Sequence, residues 1–342
     1  MRTILLFMAI AMLASCSSNA SSDTVPEGFH ADVLLPITPI KDQGSSELCW
    51  IYAMLATLET DRLAMGDSIN LSPLWCARQS LCEQSQRAFL CEDTISMRGT
   101  LPEAYEIINS HGLMPYDSYR ADKEKLSAVR PSARNLYHTA RTLTAQKSSL
   151  KELDEATSNI LNTTLSPAPH LVFLYSMEYT PQEFAESVSL PGEWIALTSF
   201  SHHPYFSSFP LEIPDNRQQH KALNLPLDSL LSVIDHSLDS RHPVAWEGGM
   251  RMINKKKVKD SKKKIENISE FAAFRQQLFE KHLLTDDHCM SIIGYGHTPD
   301  NKRYYILKNS WGEDSGLYYL SRQDLLLRTI LVMVKAETLQ KQ

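Results

Sequence analysis

The two halves of this 342-residue chain carry different hydrophobic periods. That division limits the fold more than any other feature. In the first half, apolar residues recur at helical spacing. Trp50, Ile51, Met54, Leu55, Leu58 and Leu63 mark one helix. "SPLWCARQSLCEQ" (72–84) predicts a second, with Ser72 as N-cap and Pro73 in the first turn. "TLPEAYEIINSHG" (100–112) predicts a third, capped by Thr100 and stopped at Gly112. "SSLKELDEATSNILNTTL" predicts a fourth. The second half holds short runs rich in branched and aromatic residues: "HLVFLYSM", "EWIALTSF", "HPVAWEG", "CMSIIGYG", "RYYILKNSW", "GLYYLS" and "TILVMVKA". Gly, Pro, Asn or Asp bound them, as they bound strands. Helices first and strands later specify an α+β fold of two lobes rather than alternating βαβ units. The helix-rich lobe is expected over about 36–165 and the strand-rich lobe over about 166–342.

A composition of 43% hydrophobic and 22% charged residues is globular. The formal charge of -6 excludes nucleic acid as an electrostatic partner. "NKKKVKDSKKK" (254–264) has no interleaved aromatics and predicts a solvated mobile loop, followed by a helix in "IENISEFAAFRQQLFEKHL". The start, "MRTILLFMAIAMLASCSS", joins one arginine to an apolar run too short to span a bilayer, which predicts a signal segment at 1–15. Leu13-Ala14-Ser15-Cys16 resembles the bacterial lipoprotein processing box. That resemblance implies acylation of Cys16, a lipid anchor in the membrane and an exported protein of the bacterial cell envelope. A polar tether follows, over 16–35. Of the six cysteines, Cys76, Cys82 and Cys91 are close enough in sequence to form one bridge, or else are small buried hydrophobes. No Cys/His spacing suggests a metal site, and nothing in the sequence calls for a cofactor.

Cys49 lies where the polar stretch "KDQGSSEL" meets the first helix. A helix N-terminus favours thiolate over thiol, and a nearby imidazolium favours it further. Such a cysteine needs a histidine, and the histidine needs an orienting group on its other nitrogen. His288, in "DDHCMSIIGYG", opens a strand-like run. Asn309 follows in "KNSWGED", 21 positions later, a reach that fits the far strand of a hairpin. Trp311 is placed to cover the bond between them.

"DQGSSELCW", "DHCMSIIGYG" and "KNSWGE" resemble, in the same order, the three motifs of the papain superfamily of cysteine peptidases. The resemblance covers roughly 36–336. It implies a two-lobed papain-like fold, with a helical lobe, an antiparallel β-barrel-like lobe and an active-site cleft between them. It makes Cys49 the nucleophile, His288 the base and later acid, and Asn309 the orienting residue. Gln43 and the backbone N–H of Cys49 become the oxyanion donors, with Trp50 and Trp311 supporting. Peptides are the implied substrates, cleaved through a thioester on Cys49. Two departures stand out. Ser46 occupies the position where papain has a bridging cysteine, and 239 positions separate Cys49 from His288, roughly a hundred more than in papain. The longer spacing, with "TSFSHHPYFSSFPLEIPDN" and "LPLDSLLSVIDHSLDSRHPVAWEGG", is similar to the bleomycin hydrolase and bacterial aminopeptidase C branch. That branch implies an aminopeptidase or oligopeptidase whose C-terminal arm enters the cleft; here the segment after the last expected strand is 337–342. The same thioester serves an acyl transferase or a non-peptide amidase. A non-catalytic binding lipoprotein on a peptidase fold is the alternative outside enzymes.

Overall fold

The computed structural model describes residues 24–174, 176–250 and 267–339. The signal segment, Cys16 and the lysine-rich stretch 254–264 lie outside the described residues.

The first strand among the described residues is β1 (His30–Leu34), inside the stretch expected to be a tether. Five helices follow: α1 (Cys49–Ala64), α2 (Pro73–Cys91), α3 (Leu101–His111), α4 (Lys123–Ala145) and α5 (Leu150–Leu165). Their ends are set locally. Ser72 accepts from the Trp75 N–H at 3.2 Å, with Pro73 directly behind it. Thr100 caps α3, and Gly112 ends it at a φ of 77°, where a side chain would be strained. Ser149 and Glu152 form a reciprocal capping box on α5. α4 went unrecognised because Pro131 lies inside it; it starts on the Asp122 cap and packs against α2 and α5.

A short hairpin, β2 (Val172–Leu174) and β3 (Met177–Tyr179), leads to α6 (Pro181–Val188). Then come β4 (Trp194–Thr198), β5 (Ser208–Pro210), β6 (Lys221–Asn224), α7 (Leu227–Asp239) and β7 (Val244–Gly248). α8 (Ile268–Glu280), β8 (His288–His297), β9 (Arg303–Lys308), β10 (Leu317–Ser321), α9 (Arg322–Arg328) and β11 (Thr329–Lys335) complete the described chain. One sheet runs in the order β10-β9-β8-β7-β11-β4-β6-β5, with β1 added on β8.

The mixed helix-and-sheet architecture matches the expected class, with one correction. The strand path ends at β10 on one side and β5 on the other, so no closed barrel forms among the described residues. β8 serves two neighbours along one edge. It pairs with β7 over 288–292, bulges between Ile292 and Gly294, and pairs with β1 over 294–297. Gly294 and Gly296 permit that approach, because a Cβ on either would fall 2.1 and 2.0 Å from carbonyl oxygens of β1.

α1 is the central element. It is buried nearly all round and lies along β8, which is why its apolar stripe is wide. Thr57 bonds Ser291 across that interface at 2.8 Å. Glu59, fully buried, is matched by Lys41, by Thr38 at 2.5 Å and by the Leu71 N–H at 2.7 Å. These ties fix the middle of α1 on β8 and on the segments that flank the helix.

Candidate active site

Cys49 is the first residue of α1. Leu48 occupies the N-cap and offers no side-chain acceptor; its carbonyl takes the Ile51 and Tyr52 N–H groups at 3.0 and 3.1 Å, and the N–H of Cys49, at the first helical position, has no intrahelical partner. The half-buried thiol therefore sits at the positive end of a 16-residue helix, about 24 Å long. His288 is the first residue of β8. The β8–β9 register pairs Ser291 with Lys308; continued outward, it sets position 288 opposite 311. Trp311 indeed stacks on the imidazole, with ring centroids 4.6 Å apart and planes 27° apart.

His288 Nε2 lies 2.8 Å from Asn309 Oδ1. The Asn309 amide cannot be turned round, because its NH₂ donates to the Ser315 carbonyl and its oxygen also accepts from the Ser310 N–H. Nε2 thus carries the hydrogen, and the other ring nitrogen faces Cys49, to which it is hydrogen-bonded. The Cys49 thiol is held well below its ordinary range. The first cause is a hydrogen bond from the Cys289 thiol; the hydrogen bond and charge of His288 add to it and outweigh burial. Burial alone would lower His288, but the thiolate bonded to it raises it instead. Cys289 moves well upward, through burial and its bond to Cys49, so it stays a thiol that donates. The three shifts describe one thiolate–imidazolium pair with a thiol donor behind it.

Gln43 is buried beside them. Its N–H donates to the Ser310 carbonyl at 2.9 Å, and its Oε1 accepts from Ser310 Oγ at 2.6 Å. With the oxygen occupied, the side-chain NH₂ is the group left to donate. Trp50 is buried under the site, and its indole N–H holds the Met97 carbonyl at 2.9 Å. Five of the six site residues expected from sequence, Gln43, Cys49, Trp50, His288 and Trp311, line one cleft of about 300 Å³, and Asn309 stands behind His288.

The structure adds residues that sequence reading passed over. Cys289 stood in plain view beside His288. Arg98, Asp215 and Asp286 line the same cleft from three separate loops. Glu247 lies behind them in β7, and its signal was a carboxylate inside the apolar run "VAWEG". Cys49, Cys76, Cys82, Cys91 and Cys289 are all free thiols; burial pushes Cys76 up to about 12. The fold also gathers His202, His203 and Glu212, a set that spacing did not suggest. The Gln276 amide donates to His202 Nδ1 at 3.0 Å and to Glu280 at 2.9 Å. That places the His202 hydrogen on Nε2, directed at Glu212, which leaves that nitrogen no lone pair for a metal.

The pattern of the papain family cysteine proteases matches residues 250–323, which include His288 and Asn309. Among curated proteins, the cysteine endopeptidase RepA of Oryza sativa subsp. japonica is 44% identical over 48 residues, 14% of this chain and 13% of its own. The thiol protease SEN102 of Hemerocallis sp. is 57% identical over 30 residues, 9% of this chain and 8% of its own. The chain therefore spans only a small part of these relatives' length. Among solved structures, PepW of Lactobacillus rhamnosis HN001 superposes with a TM-score of 0.65 at 17% identity, over 92% of this chain and 83% of that one. The fold of this chain is papain-like, and its segment 250–323, with the histidine and asparagine of the site, is related to the papain-family cysteine peptidases.

Proposed function

We propose that the chain is a cysteine peptidase that hydrolyses peptide bonds through a thioester on Cys49. One observation carries this reading: thiol, imidazole and carboxamide stand in line at the start of α1, with Gln43 beside them. The thiolate attacks the peptide carbonyl. The developing oxyanion takes hydrogen bonds from the Gln43 NH₂ and the Cys49 N–H. His288, protonated on the nitrogen facing Cys49, gives that proton to the leaving amine. It then removes a proton from the water that hydrolyses the thioester. Asn309 keeps the ring in the plane that serves both steps, and Trp311 shields the bond that holds it.

The finer reading is an aminopeptidase or oligopeptidase of the bacterial cell envelope, tethered by lipid on Cys16. The attachment proposed is acylation of Cys16, which rests on the likeness of Leu13-Ala14-Ser15-Cys16 to the lipoprotein processing box; no described helix is long and apolar enough to cross a membrane. Lys335, the last residue of β11, binds Asp61 at 3.0 Å. Asp61 lies twelve residues along α1 from Cys49, about 18 Å away. An arm following β11 would have to cover that distance to enter the cleft.

The test is a mixed peptide library incubated with the protein from Ser17 onward under reducing conditions, its products mapped by mass spectrometry. Single residues released from N-termini support an aminopeptidase, and internal cuts an oligopeptidase. Absence of any cleavage by protein whose Cys49 is reduced would refute the peptidase reading.

A further inference from the structure

Behind the thiol, the cleft wall gathers more carboxyl groups than the chain supplies cations for. Glu247 is 1% exposed; its Oε2 accepts from the Leu101 N–H at 3.0 Å, while its Oε1 is buried without a hydrogen-bond partner. Asp286 lines the cleft and is 7% exposed, and its Oδ2 is likewise buried and unpartnered. Asp215 is 8% exposed. One guanidinium serves this cluster. Arg98 holds Asp215 through Nε at 2.7 Å and Nη2 at 2.5 Å, and also donates to the backbone carbonyl of Asp286 at 2.8 Å. Asp215 is therefore matched; the Asp286 carboxyl has only the Asp215 carboxyl to share a proton with, and Glu247 keeps one oxygen unmatched. Glu47, at the outer rim, is engaged by Arg130 at 2.6 Å. Asp287 is tied to the Met250 N–H at 2.6 Å.

A buried carboxyl without a partner is costly whether it holds its charge or not. A purely structural wall would be better served by apolar residues or amides. We propose that Asp286, which lines the cleft, and Glu247, buried behind it in β7, form an acidic subsite beside Cys49 that binds a cationic group of the substrate peptide, an ammonium or a guanidinium. This rests on the peptidase reading of the same cleft. The cleft volume of about 300 Å³ has room for one residue's side chain or one chain terminus. Without a cation the two acids keep protons: burial and the charge of Asp215 raise Asp286 to about 7, and burial and the charge of Asp286 raise Glu247 well upward. The other ionisable groups facing them are Arg98, Asp215, Cys49, Cys289, His288 and Asp287. Binding of a cation then releases a proton, so the preference for cationic substrates grows as pH rises through about 7.

The experiment compares matched peptides that carry lysine, arginine, norleucine or glutamine at each position near the cut, with the N-terminus free or acetylated. Wild-type protein should favour the cationic member by at least about 10-fold in kcat/KM, the scale of one charge-assisted hydrogen bond. Loss of the preference on acetylation identifies the terminal ammonium; a preference that follows lysine or arginine identifies a side chain. In Glu247→Gln and Asp286→Asn the ratio should fall about 10-fold. A second readout needs no substrate: the rate at which Cys49 reacts with cationic 2-aminoethyl methanethiosulfonate, relative to neutral methyl methanethiosulfonate, mapped to Cys49 by mass spectrometry. That ratio should fall similarly in both variants. Hydrolysis with no charge preference, or a reagent ratio unchanged by both substitutions, overturns the subsite. No hydrolysis, with a reagent ratio that still depends on Glu247, removes the peptidase reading and keeps the subsite.

Discussion

Gln43→Ala separates oxyanion stabilisation from nucleophile activation. In the structure the Gln43 side chain makes one bond, accepting from Ser310 Oγ at 2.6 Å, and turns its NH₂ free. It makes no contact that shifts the thiol: Cys49 is held down by Cys289 and His288. Removing the amide should thus raise the barrier to acylation without changing the thiolate. One preorganised donor contributes about 2.7–4 kcal/mol, or roughly 10²–10³ in kcat. The lower end applies here, because the Cys49 N–H at the uncapped start of α1 remains as the second donor.

The same substitution strands the Ser310 hydroxyl, which is buried. That costs about 1–3 kcal/mol of stability, so thermal unfolding must be measured beside activity. Iodoacetamide provides the discriminating assay, since alkylation of the thiolate forms no oxyanion. The expected result is a fall of about 100-fold in kcat for a peptide ester or amide, with the alkylation rate constant within about twofold of wild type. Ser310→Ala, which frees the Gln43 amide to rotate without removing it, should lose roughly 5–10-fold in kcat, the value of about 1 kcal/mol of orientation. If Gln43→Ala slows alkylation as much as turnover, the residue is holding the thiol in place and the oxyanion argument fails.

Three other outcomes follow from the same geometry. Cys49 should react with an epoxide cysteine-peptidase inhibitor well below the pH at which an ordinary thiol reacts, since thiolate and imidazolium coexist above the lowered Cys49 value and below the raised His288 value; a rate that follows an unperturbed thiol titration would refute the ion pair. Asp286 has a folded pKa raised from 3.8 to about 7, so the folded state binds the extra proton and stability falls as pH rises between those values, by up to ~4 kcal/mol. Asp286→Asn should flatten that fall in chemical denaturation at pH 5 and pH 8, and an unchanged slope would show that the carboxyl does not carry it. Cys16→Ala should release the protein from the membrane fraction or leave an unprocessed precursor, and wild-type protein already found in the soluble fraction would rule out the anchor.

Much of the fold was legible where a local signal and the tertiary context agreed. Ser72-Pro73 and Thr100-Pro102 announced two helix starts, and each cap is formed in the structure, where Ser149 and Glu152 add a capping box to a third. The strands from β7 to β11 were legible because each is a branched or aromatic run stopped by turn residues. α4 was missed because a proline is normally a helix breaker. Pro131 is tolerated there since the helix buries Leu126, Val129, Ala133 and Leu136 against its neighbours, a contribution invisible at the level of one residue's propensity. β1 was missed because "HADVL" alternates exposed and half-buried positions too weakly to stand out from a polar tether; what makes it a strand is the glycine-lined edge of β8, 260 positions away.

The site divides along the same line. Cys49, His288 and Asn309 could be read because each sits at a boundary between elements, where a polar residue beside an apolar run asks for a reason; Gln43 was legible only through the resemblance to the papain superfamily. Their mutual geometry then follows from one fact, the packing of α1 on β8. The start of a helix and the start of a strand are brought side by side, and the β9 turn is carried to the same end by register. Arg98, Asp215 and Asp286 offered no such clue, because their positions depend on three distant loops converging behind the thiol; Glu247, in β7, left only a carboxylate inside an apolar run. Chemistry common to this fold is built where elements begin, and so it leaves a mark in sequence. What distinguishes this chain's cleft is built by long-range closure, and becomes visible only as buried carboxyl oxygens that no donor in the described structure satisfies.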